Sequence, residues 1–200
     1  MYIPHHYKNE NITEVKDFLR KNSFGILVNQ VAGKPWATHI PLELETTDDG
    51  QDVLVSHISK ANPQWRHFAE NDKVLCIFNG PHSYISSSWY KEEEVPTWNY
   101  IAVHVYGRIK ILPEAAVLAS MHRLVDKYEQ NSENPISLDQ LSEKTLRQVK
   151  GVVGFQITIN SIQAAYKLSQ GRKADHPKII AELEKTENPL SRDIANRMKE

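Results

Sequence analysis

Four short segments of this 200-residue chain carry side chains that could do chemistry. The first is Ser56-His57-Ile58-Ser59-Lys60-Ala61-Asn62-Pro63-Gln64-Trp65. A strand end there delivers two hydroxyls, an imidazole and an ammonium just before Asn62-Pro63. Asn caps free N–H groups and Pro suits the first helical position, so the pair starts a helix, expected to run to Ala69. A helix N-terminus holds phosphate through unpaired N–H groups and the positive end of its dipole. Ser56, His57 and Asn62 would add hydrogen bonds and Lys60 a point charge. The plain alternative is that Asn62 only caps the helix and Lys60 is solvated.

The second segment is Thr38-His39-Ile40-Pro41-Leu42. A Pro inside a strand points to an edge or a bulge, where backbone amides are free to meet a ligand. An ordinary edge strand with a solvated His39 reads equally well. The third is Val95-Pro96-Thr97-Trp98-Asn99-Tyr100, which sets an aromatic pair around an amide at a strand entry. Such groups pack on a flat ring and hydrogen-bond its edge. The competing reading is an exposed loop anchored by Trp98 in the core. The fourth is Lys167-Leu168-Ser169-Gln170-Gly171-Arg172, two cations and two polar groups that could close over an anion or simply form a solvated connector.

Other chemistries lack their signatures. No glycine pair has dinucleotide-binding or P-loop spacing, and Gly151 with Gly154 reads as packing between valines. No His-Glu-x-x-His helix occurs, and none of the nine histidines has ligand spacing with two others on one element. The single cysteine, Cys76, lies in Val74-Leu75-Cys76-Ile77-Phe78 and reads as a buried, inert thiol; no intramolecular disulfide can form. Lys and Arg number 24 and Asp and Glu 25, a formal charge of -1, so no global positive field holds nucleic acid or an anionic membrane. No apolar run approaches the roughly 20 residues of a membrane helix, and Met1-Tyr2-Ile3-Pro4-His5-His6 does not look like a signal peptide. A cytoplasmic protein is expected.

The elements that must position these groups follow from periodicity. Ile12, Val15, Phe18 and Leu19 share a helical face, opened by Asn11 and Glu14 as a capping box. Strands are expected at 24–31, 35–45 and 52–57, with turns at Ala32-Gly33-Lys34 and around Asp49-Gly50. Lys73 to Phe78 reads as a strand broken by Asn79-Gly80-Pro81, with a second short strand at 83–88. Trp98 to Leu112 alternates most clearly, with Ile101, Val103, Val105, Ile109 and Ile111 on one face. Helices are expected at 113–128 and, from the Ser137/Gln140 capping box, to about Val149. A strand at 152–159 and two short tail helices complete the chain. The fold class is α+β, most simply a small, mostly antiparallel β-barrel with peripheral and C-terminal helices. Residues 1–170 form the barrel domain with inserted helices, and 171–200 a helical tail packed on it.

Several blocks together resemble the PaiB-type family of FMN-binding negative transcriptional regulators. They are Met1-Tyr2-Ile3-Pro4, His39-Ile40-Pro41-Leu42, His57 with Ala61-Asn62-Pro63-Gln64-Trp65, Phe78 through Ser86, and Trp89-Tyr90. They continue with Val95-Pro96-Thr97-Trp98-Asn99-Tyr100, His104-Val105-Tyr106-Gly107 and Lys167-Leu168-Ser169-Gln170. The sequence departs from the family pattern at Gly171, where Asn is expected, and at Lys60, where Arg is commoner. The resemblance implies a split barrel shared with pyridoxamine-phosphate oxidases, a homodimer, and one FMN in each of two clefts between subunits. It further implies that the strand of Thr38, His39 and Ile40 runs along the flavin ring, and that Ser56, His57, Lys60 and Asn62 hold its phosphate. Trp98, Asn99 and Tyr100 would reach the ring from the partner, and Lys167, Ser169, Gln170 and Arg172 would close the cleft.

Three functions remain open on the sequence. One is a dimeric FMN-binding repressor. DNA as a partner comes from the resemblance alone, because the charge is near zero and no helix-turn-helix spacing occurs. Another is a flavin-dependent oxidoreductase, with His39, His82 or Tyr100 as proton donors, although no catalytic constellation is evident. The last is a ligand-binding module without FMN.

Overall fold

The computed structural model describes residues 1–69 and 72–200. Its strands are β1 (Phe24–Val31), β2 (Lys34–Pro41), β3 (Glu43–Thr46), β4 (Asp52–Ser59), β5 (Lys73–Ile85), β6 (Thr97–Ile111) and β7 (Val152–Lys167). They form one seven-stranded sheet in the order β2-β1-β5-β6-β7-β4-β3. The helices are α1 (Ile12–Lys21), α2 (Glu114–Glu129), α3 (Glu143–Leu146), α4 (His176–Glu184) and α5 (Pro189–Lys199). The chain divides into two compact units that interleave in sequence. Unit one is Met1–Phe18, Phe78–His104 and Ile162–Glu200; unit two is Leu19–Ile77 and Val105–Ser161.

In unit two, β1 and β2 pair from Phe24↔Pro41 to Val31↔Lys34, so the hairpin loop is Ala32-Gly33. Both loop residues have positive φ, 50° and 77°, the twist a two-residue hairpin needs. The expected strand 35–45 is two strands. β2 ends at Pro41, and one last bond in the same register, from the Leu42 amide to the Ser23 carbonyl at 2.8 Å, closes its pairing with β1. β4 pairs with β3 on one side and with β7 on the other, from Val53↔Thr158 to Ser59↔Val152. Gly107 sits so close to β7 that a Cβ would lie 2.4 Å from the Thr158 carbonyl oxygen.

Three expectations of element length change. The segment Asn79-Gly80-Pro81 does not break β5, which runs through it to Ile85. Gly80 serves packing there: a Cβ would stand 2.6 Å from the Phe18 ring and 3.1 Å from Ile101. β7 continues eight residues past Ile159, because Ala164, Ala165 and Tyr166 are all buried. The helix expected at 137–149 fragments. Its Ser137/Gln140 capping box forms, but on a 3-10 turn at Leu138–Gln140, and Ser142 caps a fresh start for α3.

Unit one has its own apolar cluster. Ile179, Leu183, Ile194, Ala195 and Met198 of the tail helices pack with Ile85 and Tyr90. Asn188 caps α5 by accepting from the Leu190 amide at 3.0 Å, with Pro189 in the first turn.

Candidate functional site

The candidate residues fall in both units, and each group has its own geometry. In unit two, the expected helix after Asn62 is a five-residue 3-10 turn, Pro63–His67. A turn that short lacks the aligned peptide dipoles that draw phosphate to a long helix. Asn62 is engaged at both ends: Oδ1 accepts from the Gln64 amide at 3.0 Å, and Nδ2 donates to Thr38 Oγ1 at 2.9 Å. Thr38 in turn donates to Gln64 Oε1 at 2.6 Å. Gln64, fully buried, donates to the Leu27 carbonyl at 3.3 Å and to Asn29 Oδ1 at 3.0 Å. This polar chain ends at Asn29, a buried side chain whose Nδ2 has no acceptor. A buried donor left unmatched marks a place where an acceptor belongs.

The remaining unit-two candidates separate. Ser56 is buried and gives its hydroxyl proton to the Pro41 carbonyl. With half-buried His57 it lines a small recess that also holds Glu43 and Glu45. Burial pushes the His57 imidazole below its ordinary pKa, so near pH 7 it offers hydrogen bonds rather than charge. A phosphate beside two carboxylates and a neutral imidazole would find little attraction. Lys60 is exposed and lines a different cavity, about 310 Å³, with Lys150 and the apolar wall of Val117, Val149 and Val153. Ser56, His57, Lys60 and Asn62 thus do not form one cradle. Ile40 is buried, while His39 is exposed on β2. β2 ends the sheet, so one backbone edge there lacks a neighbouring strand.

In unit one, Asn99 is fully buried and exchanges hydrogen bonds with Ser169: Nδ2 donates to Ser169 Oγ at 3.0 Å, and Ser169 Oγ donates to Oδ1 at 3.1 Å. Ser169 holds φ 58° and ψ 35°, a left-handed conformation that costs a non-glycine residue about 1–3 kcal/mol. The strain ends β7 abruptly and turns the chain into the 3-10 segment Gln170–Asp175. Gln170 folds back on its own turn, accepting from the Leu168 amide and donating to the Tyr166 carbonyl.

Lys167 donates to Thr97 Oγ1 and stands 5.5 Å over the Tyr7 ring. Arg172 pairs with Glu94. Lys167, Ser169 and Arg172 line a cavity of about 270 Å³ with Thr97, Tyr7 and Tyr90. Burial raises the Tyr90 phenol, which stays protonated. The sequence does not single out Tyr7 or Tyr90 as site residues; Tyr90 alone stands in a family-like block, Trp89-Tyr90. Trp98 is 52% exposed, and its ring meets His82 and Tyr84 at 5.5 and 6.2 Å. Tyr100 is half-buried on the same face of β6. The reading of Trp98 as a core anchor does not hold; Asn99 points inward and Trp98 outward.

The donor set fits FMN. Lys167, Thr97 and Ser169 beside the Tyr7 and Tyr90 rings offer charge, hydroxyls and aromatic faces in one cavity. The unmatched Asn29 donor adds a demand for an acceptor in unit two. Among the described residues, no group of three His, Cys, Asp or Glu side chains could hold a metal ion. No described helix is long and apolar enough to cross a membrane.

Residues 1–161 match the family model described as "Putative FMN-binding domain". The chain is 45% identical to "Protease synthase and sporulation protein PAI 2" of Bacillus subtilis, over all of this chain and 97% of that one. Among solved structures, the FAD and heme binding protein of Mycobacterium smegmatis superposes with a TM-score of 0.61 at 14% identity, covering 80% of this chain and 73% of the other. A flavocytochrome of Azotobacter vinelandii gives 0.62 at 16%, covering 81% and 70%. These likenesses bear on the fold and agree with the α+β split barrel expected from the sequence.

Proposed function

The chain belongs to the FMN-binding domain family and is a PaiB-type protein with FMN as cofactor, and from that premise we propose that it works as a homodimeric, cytoplasmic, flavin-dependent regulator of gene expression. The regulatory part rests on the name of the Bacillus subtilis relative, which ties that protein to protease synthesis and sporulation. The flavin part is carried by the cavity of Lys167, Ser169 and Arg172, where charge and hydroxyls converge beside two tyrosine rings.

Bound FMN supplies one- and two-electron redox chemistry. The chain's residues bind and orient it. Lys167 and Arg172 would offer charge to its phosphate, Arg172 in place of its pairing with Glu94. Ser169, locked by Asn99, holds one hydroxyl at a fixed place. Exposed Trp98, with His82 and Tyr84, forms an aromatic surface for the partner subunit or its ring. Direct DNA binding is the weakest element, because the formal charge is -1 and tail cations such as Lys185 and Lys199 are paired with Glu182 and Glu184. A regulatory output through flavin state, passed to another protein, agrees better with that charge. The oxidoreductase reading has only the fold behind it and is not advanced.

The test is an absorbance spectrum and FMN titration of the purified protein, with its mass measured in solution. Uptake of one FMN per chain by a particle of twice the chain mass supports the reading. A monomer that takes no FMN at micromolar concentration overturns it.

A further inference from the structure

Tyr166, near the end of β7, is 5% exposed, and its hydroxyl has no hydrogen-bond partner. It lines a cavity of about 360 Å³ in unit one together with Arg197 of α5, Glu14 of α1, Glu200 and Lys8. Burial, reinforced by Glu14 and Glu200, pushes the phenol up to about 12, against the opposing pull of Arg197. The group therefore keeps its proton and waits for an acceptor. Asn and Gln side chains nearby cannot serve. Asn9 gives Nδ2 to Glu14 at 2.9 Å, and its Oδ1 accepts the Asn11 amide at 2.9 Å. Gln170 is held by the backbone of Leu168 and Tyr166.

The charged wall has both signs. Arg197 Nη1 stands 2.7 Å from Glu200 and 3.8 Å from Glu14, while Lys8 is drawn to Glu10 at 2.5 Å. One guanidinium thus faces two carboxylates, with an ammonium at the margin. Such a wall attracts neither a simple anion nor a simple cation strongly. It suits a molecule that carries both charges a few ångströms apart. We propose that this cavity, which shares Tyr7 with the Lys167 cavity and has Gln170 in its wall, is a second small-molecule site that binds a free α-amino acid. The ligand's carboxylate accepts from Tyr166 Oη and Arg197, and its ammonium donates to Glu14 and Glu200. The cavity leaves room for a side chain.

The test is titration calorimetry of the full chain as purified, with the common amino acids one by one and with acetate and methylamine as single-charge controls. At least one amino acid is expected to bind saturably and more tightly than either control. Tyr166→Phe and Glu14→Gln should each weaken that binding at least tenfold and leave FMN uptake unchanged, which shows that the fold is intact. The proposal is overturned if no amino acid binds at millimolar concentration, if acetate or methylamine binds as well, or if Tyr166→Phe retains full affinity.

Discussion

Ser169 adopts a left-handed backbone conformation while its hydroxyl is bonded to the carboxamide of Asn99, 70 residues earlier and fully buried. The side-chain bond and the strained backbone oppose each other in energy. Two substitutions separate them. Ser169→Ala keeps the strain and loses the bond, leaving the buried Asn99 carboxamide with only the weak Met198 Sδ acceptor at 3.6 Å, so it should destabilise by about 1–3 kcal/mol. Ser169→Gly loses the same bond but relieves the strain, so its urea midpoint should lie above that of the alanine variant. A glycine variant no more stable than the alanine variant would contradict the strain.

Among the described residues, Lys167 lines the Tyr90 cavity with a hydroxyl, Thr97 Oγ1, rather than a carboxylate as its partner. Replacing it with Met should weaken FMN binding by about tenfold or more, the scale of one charge-assisted hydrogen bond. The wild-type affinity should also fall with added salt more steeply than that of the variant. Equilibrium titration at two salt concentrations checks both. Lys60→Ala, by contrast, should change FMN affinity less, because Lys60 shares no cavity with Ser56 and His57.

Gly107, Gly154 and Gly80 rank by what surrounds them. Gly107→Ala would drive its Cβ into a backbone oxygen, which cannot rotate away, and should be the most destabilising. Gly154→Ala would press on Val117 at 2.4 Å, and Gly80→Ala on the Phe18 ring. Each should cost about 1–3 kcal/mol by denaturant melt. Val117→Ala should recover part of the loss in Gly154→Ala, and none in Gly107→Ala.

Acid should destabilise the protein through buried imidazoles. Burial holds His57 below its ordinary value of 6.5, and burial with the N-terminal ammonium does the same for His104. Between the folded and unfolded pKa values the unfolded chain binds more protons, so stability rises with pH there. Melting temperature should therefore fall as pH drops below about 6.5, and His57→Gln should flatten that slope. Equal slopes in both proteins would exclude His57 as a contributor.

Cys76 is fully buried, and burial pushes its thiol far above the ordinary range. A thiol reagent should label it only as the chain opens, so the labelling rate at pH 8 should rise with urea along the unfolding transition. Rapid labelling of the native protein would contradict this burial.

Much of the framework was legible because its signals are local. The alternation of Ile101, Val103, Val105 and Ile109 needs only a period of two, and β6 appears where it predicts. The Ala32-Gly33 hairpin and the Asn188-Pro189 helix start are likewise read from neighbours in sequence. The failures are tertiary. Gly80 looks like a turn residue until Phe18, 62 positions away, is seen to need the space. The Asn62-Pro63 start was recognised, but not that Thr38 and Gln64 would absorb Asn62 and leave a turn of five residues. For the site, residue types pointed to the Lys167–Arg172 segment. They gave no sign that Tyr7 and Tyr90 would join it, or that Ser56 and Lys60 would part.

The interleaving of the two units carries a consequence for synthesis on the ribosome. Unit two is complete once Ser161 has emerged, but unit one recruits Met1–Phe18 at the start and Ile162–Glu200 at the end. At roughly 5–20 residues per second, the first turns of α1 wait on the order of ten seconds or more for the rest of their unit. Val15 and Phe18, both 2% exposed in the finished molecule, must spend that interval as bare apolar surface on a nascent chain. The N-terminal helix thus stands to gain from a chaperone's cover, and slowing translation of the codons for residues 162–200 should lower the soluble yield.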